Sequence, residues 1–295
     1  MKMFALFTLA STAVFHAANI VDAAVVHYTF DVNEWVVDFK RPTTNLKKPA
    51  ERQTPFSIPD ENRKGAILVN GVYPGPTVEC FVNDTVIINV VNNMISESTT
   101  IHWHGVHPVD QPWADGATQV TQAPIRPGEN FTYEFRAWPQ GTHYWHSHMD
   151  GMQSAKGMRG PFIIKPKPGT DPNDPEGNLY EDKVVVLADE WQNPDVCLKL
   201  EGAMAGNDVC SDIDWASING QIATGDKQKF DKRYPYPLVD VAPGKCYRLR
   251  IIAMMSNAEN YIFSDINFIV VFINFSDQTH VVFVIESTAK STLTE

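Results

Sequence analysis

His102-Trp103-His104-Gly105 and His143-Tyr144-Trp145-His146-Ser147-His148 are the two stretches around which this sequence is read. Each holds a His-x-His couplet. The flanks Ser98-Thr99-Thr100-Ile101 and Phe131-Thr132-Tyr133-Glu134-Phe135 are rich in β-branched and aromatic residues, so both couplets are expected on strands. Side chains at i and i+2 of a strand share a face, with Cα atoms roughly 7 Å apart at about 3.4 Å rise per residue. His102 and His104 then aim into one cavity, as do His146 and His148, while Trp103 and Trp145 point the other way into a core. One His-x-His on a strand is as easily a polar face as a site. Two in one short segment, each wrapped in Trp and Gly, point to four imidazoles walling a metal site. Their spacing suits neighbouring ions better than a single one. Imidazole serves Zn, Cu, Fe and Ni alike, so the histidines alone leave the metal open. No cysteine lies nearby, which argues against a closed structural zinc site.

Working outward, further text surrounds the couplets: Asn70-Gly71-Val72-Tyr73-Pro74-Gly75-Pro76-Thr77, Asp115-Gly116, Thr121-Gln122-Ala123-Pro124-Ile125, Pro127-Gly128, Ser217-Ile218-Asn219-Gly220 and Pro243-Gly244-Lys245-Cys246-Tyr247-Arg248-Leu249-Arg250. Together with the couplets this text resembles the multicopper oxidases, the family of laccases, ferroxidases and ascorbate oxidases, over about residues 27 to 264. The resemblance implies an all-β fold of cupredoxin-like Greek-key sandwiches, one complete and a second incomplete. It implies copper as cofactor, in a trinuclear cluster that reduces O2 to water between the first and third domains.

By motif position His102 resembles the type 2 copper ligand, and His104, His146 and His148 resemble type 3 ligands. His143 resembles a residue standing behind the ligands, and His107 matches none of them. Asp115 occupies the Asp-Gly position expected either to deliver protons or to cap a turn. The family's two C-terminal motifs, His-Pro-x-His-x-His-Gly and His-Cys-His, do not occur in this sequence, and only His280 follows His148. The type 1 copper site, a His-Cys-His arrangement, is therefore expected to be missing, along with half of the cluster. Two readings follow. One is a laccase-like oxidoreductase whose electron donor is a small molecule or metal ion (phenols, aromatic amines, ascorbate or Fe(II)) and whose acceptor is O2, with a missing third domain completing the site. The other is a secreted, non-catalytic copper-binding or interaction module from a shortened isoform. An oxidase completed by trimerisation would still need a type 1 site.

The 295 residues carry 24 basic and 35 acidic side chains, a formal charge of −11. No basic run marks a nucleic-acid surface, and the acidity reads as solubility. Residues 1–23 read as a signal peptide, with Lys2, an apolar run from Met3 to Phe15 and a small-residue cleavage site at Val21-Asp22-Ala23; the alternative is an ordinary N-terminal helix. The run is too short to span a membrane. Secretion fits sequons at Asn83, Asn130 and Asn274. It also makes disulfides the expected state of the four cysteines. Cys197 and Cys210 bracket a polar loop and are the favoured pair, and Cys80 and Cys246 either pair with each other or stay free.

Along the chain, residues 24–165 read as the first sandwich, 166–182 as a Pro- and Gly-rich linker, 183–264 as a partial second sandwich and 265–295 as a divergent tail. Strands are expected at Val25–Phe39, Ala66–Asn70, Thr77–Phe81, Thr85–Val91, Phe131–Arg136 and Gly160–Lys165, then at Lys183–Asp189, Trp215–Gln221 and Cys246–Ala253. Residues 106–128 are expected as one long loop. The tail holds strand-like apolar runs at Ile266–Phe275 and Val281–Ile285, read as a non-native extension in preference to substitutes for missing strands.

Overall fold

The structure is a computed structural model describing residues 23–38, 63–149, 151–190, 215–222, 238–240, 245–254, 269–275 and 278–284. The signal-peptide reading and the Cys197–Cys210 pair fall outside the described residues. Strands dominate: β1 (Val25–Asp38), β2 (Arg63–Val69), β3 (Val78–Phe81), β4 (Thr85–Asn92), β5 (Ile101–His104), β6 (Asn130–Arg136), β7 (Gly141–Ser147) and β8 (Arg159–Lys165) come first. A short helix, α1 (Gly151–Ala155), sits between β7 and β8. Then follow β9 (Glu181–Glu190), β10 (Trp215–Ile218), β11 (Gln221–Ile222), β12 (Leu238–Asp240), β13 (Tyr247–Met254), β14 (Ile269–Phe275) and β15 (Gln278–Val284).

The first eight strands form two mixed sheets, ordered β2-β1-β4-β6 and β3-β8-β7-β5. Alternation decides which face each strand buries. In β4, Val86, Ile88 and Val90 are buried while Thr85, Ile87 and Asn89 are not. These side chains meet Phe30, Val32, Tyr133 and Phe135 from their own sheet, and Ile101, Trp103, Trp145, Phe162 and Ile164 from the facing one. The result is the cupredoxin-like Greek-key sandwich, with the sheet carrying both histidine strands as one of its walls.

β8 is buried on both faces, which its unbroken apolar run Phe162-Ile163-Ile164 already demands. Phe162 and Ile164 face the sandwich core, and Ile163 turns outward onto Val186, Ile252 and Met254. Those residues belong to a second mixed sheet, β11-β10-β9-β13, the incomplete second sandwich. Arg159, 1% exposed, binds the two units by donating to the Met254 carbonyl at 2.6 Å, and is steadied within its own unit by the Tyr73 hydroxyl at 3.0 Å. Arg250 Nη1 donates to Thr142 Oγ1 at 2.9 Å across the same seam.

Several expectations are corrected in detail. Trp215–Gln221 is not one strand but a hairpin, because Asn219 (φ 50°) and Gly220 (φ 75°) both adopt the left-handed conformation of a tight two-residue turn. The loop 106–128 contains a 3₁₀ turn at Pro112–Ala114, and β9 starts at Glu181, ahead of Lys183. The two tail runs are strands, in agreement with their strand-like apolar pattern: β14 and β15 pair antiparallel, and β15 pairs with β12. Cys80 is a buried free thiol and Cys246 an exposed one. No helix among the described residues is long and apolar enough to cross a membrane.

Candidate metal centre

β5 and β7 lie side by side, antiparallel, with His102 opposite His146, Trp103 opposite Trp145 and His104 opposite Tyr144. This register turns period-2 alternation within each strand into one shared face across both. His102, His104, Tyr144 and His146 emerge on that face; Ile101, Trp103, Trp145 and Ser147 go inward and are fully buried. Trp103 donates its indole N–H to the Ala114 carbonyl and Trp145 to the Pro76 carbonyl, both at 2.9 Å. The two indoles therefore act as pegs beneath the histidines, held by packing and by one directional bond each.

One ligand atom from each of His102, His104 and His146 lies within 4.8 Å of the others. The ring of His148 is 5.3 Å from that of His102 and 6.0 Å from that of His146. The four imidazoles expected from the sequence are thus brought together, with one difference: His148 is not on the strand. β7 ends at Ser147, and His148 is exposed, held by its amide donating to the Thr100 carbonyl at 3.1 Å. Thr118 Oγ1 donates to the His148 carbonyl at 2.9 Å and lies 2.7 Å from Thr100 Oγ1.

The hydrogen bonds decide which ring nitrogens are free. His102 Nδ1 lies 2.8 Å from the Asp115 carbonyl, and His146 Nδ1 lies 2.8 Å from the Ser147 carbonyl. A carbonyl only accepts, so each Nδ1 carries the proton and each Nε2 keeps its lone pair. A carbonyl behind the ring is also how metal-ligating histidines are commonly oriented. Burial pushes the His146 imidazole down to about 4, against the pull of the Ser147 carbonyl and helped by His102, His104 and His148 nearby. The ring is neutral, the form a metal takes. Converging imidazoles, two of them with a carbonyl behind Nδ1, are a donor set that fits copper.

Asp115 caps the 3₁₀ turn through its own N–H to the Pro112 carbonyl. Its carboxylate, 28% exposed, stands 3.4 Å from His102 Nδ1. Gly116 follows with φ 84°, and a Cβ there would fall 1.7 Å from the Ile101 carbonyl oxygen, so only glycine lets this loop press against β5. His143 is on the opposite parity from His146 and takes no part in the cluster. Its Nε2 lies 2.9 Å from the Pro139 carbonyl, and burial lowers its pKa. His107 is exposed on the loop beyond β5.

One residue of the face went unread in the sequence. Tyr144 stacks on His104 (4.5 Å between centroids, 18° between planes) and on His146 (5.3 Å, 26°). Its place two residues before His146 is the signal that would have found it.

Residues 52–169 match the family model for multicopper oxidases. The chain is 39% identical over 141 residues to an L-ascorbate oxidase of Brassica rapa subsp. pekinensis, covering 48% of this chain and 24% of that protein. It is 34% identical over 214 residues to laccase-4 of Trametes villosa, covering 70% of this chain and 38% of that protein. The fold superposes on the crystal structure of a laccase from Botrytis aclada with a TM-score of 0.60 at 26% identity, over 79% of this chain and 38% of that one. The chain thus spans less than two-fifths of the length of either curated relative. The paired His-x-His strands, the sandwich that carries them and the relatives agree: the chain belongs to the multicopper oxidase family, on its laccase-like side.

Proposed function

We propose that this chain supplies the N-terminal half of a trinuclear copper cluster in a secreted laccase-like oxidase, which couples one-electron oxidation of a phenol, an aromatic amine or Fe(II) to reduction of O2 to water. The observation that carries this reading is the convergence of the His102, His104 and His146 ligand atoms within 4.8 Å on one face. Copper, when bound, supplies the one-electron chemistry and the affinity for O2. The protein's own part is to hold and orient. His102 takes the type 2 role, aimed by the Asp115 carbonyl, while His104, His146 and His148 take the type 3 role. Asp115, half-buried beside His102, passes protons from solvent toward the cluster. A further domain supplies the other four imidazoles and the type 1 site. The proposed division is a leader at 1–23, a copper-bearing domain at 24–165, a linker at 166–182, a partial second domain at 183–264 and a tail at 265–295. Secretion is supported by exposed asparagines at two of the three sequons, Asn83 and Asn130; Asn274 and a Cys197–Cys210 bridge complete the proposal.

A second reading, a secreted copper-binding module without turnover, needs only the His102, His104 and His146 donor atoms that lie within 4.8 Å of one another. The purified chain, loaded with Cu(II), separates the two. Bound copper that falls when His104 and His148 are replaced by alanine supports the ligand assignment, and unchanged copper content refutes it. O2 uptake with a phenol or Fe(II), measured on the chain alone and on the product of the full transcript, decides between oxidase and module.

A further inference from the structure

Gln153 is a polar side chain only 1% exposed, in the short helix α1 directly after the second couplet. Its amide is saturated. Oε1 accepts from Thr99 Oγ1 at 2.8 Å and from Ser147 Oγ at 2.7 Å. Nε2 donates to the Ser98 carbonyl at 2.8 Å and to Glu97 Oε2 at 3.1 Å. Glu97 is held in turn by Lys156, Nζ to Oε1 at 3.4 Å. Both lone pairs and both protons of the amide are therefore used, and its partners sit on two separate segments. Glu97, Ser98 and Thr99 lead into β5 and the first couplet. Ser147 separates His146 from His148 and closes β7; its Oγ also accepts from the Met149 amide at 3.3 Å.

We propose that Gln153 is a positioning residue for the copper face: its amide locks the segment entering β5 to the segment leaving β7 and thereby sets the spacing of the two histidine couplets. This rests on the copper reading given above. Strand pairing alone fixes His146 against His102, but His148 lies beyond the last strand residue and is exposed. What holds its backbone is the Thr100 carbonyl, the Thr118 hydroxyl and, through Ser147, the Gln153 amide. Metal sites tolerate errors of about 0.2 Å in ligand distance, so slack between these segments reaches the metal directly. A methionine would fill the same volume without any of the four bonds.

The test uses the full chain, Cu(II) alone as probe, and Gln153→Met beside Val86→Ala, a core truncation in the opposite sheet. Gln153→Met is expected to weaken Cu(II) binding by about tenfold, as residues supporting metal ligands commonly do, and to change the copper EPR hyperfine pattern. Val86→Ala is expected to lower the melting temperature while leaving affinity within about twofold and the spectrum unchanged. In metal-free protein, the imidazole NMR signals of His146 and His148 should shift in Gln153→Met and not in Val86→Ala. If Gln153→Met does not fold, Ser147→Ala, which removes one hydroxyl, is expected to show the same changes at about threefold. Affinity, spectrum and imidazole signals all unchanged in a folded Gln153→Met, or equal losses in Val86→Ala, overturn the proposal. Wild-type chain that takes up no Cu(II) overturns the copper reading alone, since the imidazole signals still report whether Gln153 positions the rings.

Discussion

Replacing Gly160 with alanine puts a methyl where the structure has no room for one. Gly160 on β8 lies opposite Trp145 on β7. A Cβ at Gly160 would sit 2.6 Å from Trp145 Cε2 and Cζ2 and 2.7 Å from Nε1. The indole has little room to slide, because the Gly75 backbone comes so close that an added Cβ there would stand 2.4 Å from the same Cζ2, and Phe30 packs at 4.8 Å between centroids. Trp145 has to shift out of line, and its N–H then leaves the Pro76 carbonyl. Overpacking a dense core costs about 1–3 kcal/mol, and a buried donor left without its acceptor about 1–3 kcal/mol more. The two overlap, so the expected loss is about 2–4 kcal/mol, or about 5–15 °C in melting temperature for a domain of this size. Gly128→Ala is the control: Gly128 has φ 78° but open space around its missing Cβ, so it should cost only the strain of the left-handed backbone, about 1 kcal/mol. Urea unfolding followed by tryptophan fluorescence measures both variants. Because Trp145 precedes His146, Gly160→Ala should also weaken Cu(II) binding, read by equilibrium dialysis. A Gly160→Ala protein no less stable than Gly128→Ala would refute the argument that Trp145 is wedged between two glycines.

Asp84, 1% exposed, accepts from Lys167 Nζ at 2.7 Å, Phe81 N at 2.8 Å and Ala24 N at 3.0 Å. Burial opposes its ionisation, but Lys167 and the two amides outweigh that and hold the carboxyl below its ordinary value. Its contribution is therefore complete above about pH 4 and lost as pH falls through the lower folded value; Asp84→Asn should cost about 3 kcal/mol at pH 7 and flatten the acid limb of a stability–pH curve, both read by urea titration. Gly116→Ala, with its Cβ 1.7 Å from the Ile101 oxygen, should yield little soluble protein, or soluble protein with reduced copper uptake; a normal yield with full copper would refute the close approach. Thr118→Val removes the hydroxyl shared with Thr100 and His148 and should cost about 1–2 kcal/mol with a severalfold loss in Cu(II) affinity by competition titration.

The sequence by itself determined the face of the site. Spacing by two is a local property of an extended chain, so His102 and His104 had to point together, and Trp103 and Trp145 had to point away from them. Alternation in β4 and the continuous apolar run of β8 were likewise written in the order of residues. Which strand would lie beside which was not local: the pairing of His102 with His146, rather than with a neighbour one step along, is a register set by two sheets closing over one core. Spacing by two already put Tyr144 on the face of His146; tertiary structure alone laid it on His104 of the neighbouring strand. It alone decided that β7 stops at Ser147, with His148 held just beyond it by the Thr100 carbonyl and the Thr118 hydroxyl. And it made Gln153, an unremarked polar residue in a short segment, the most fully bonded side chain behind the site, because its four partners come from stretches about fifty residues apart that meet only when the sandwich is closed.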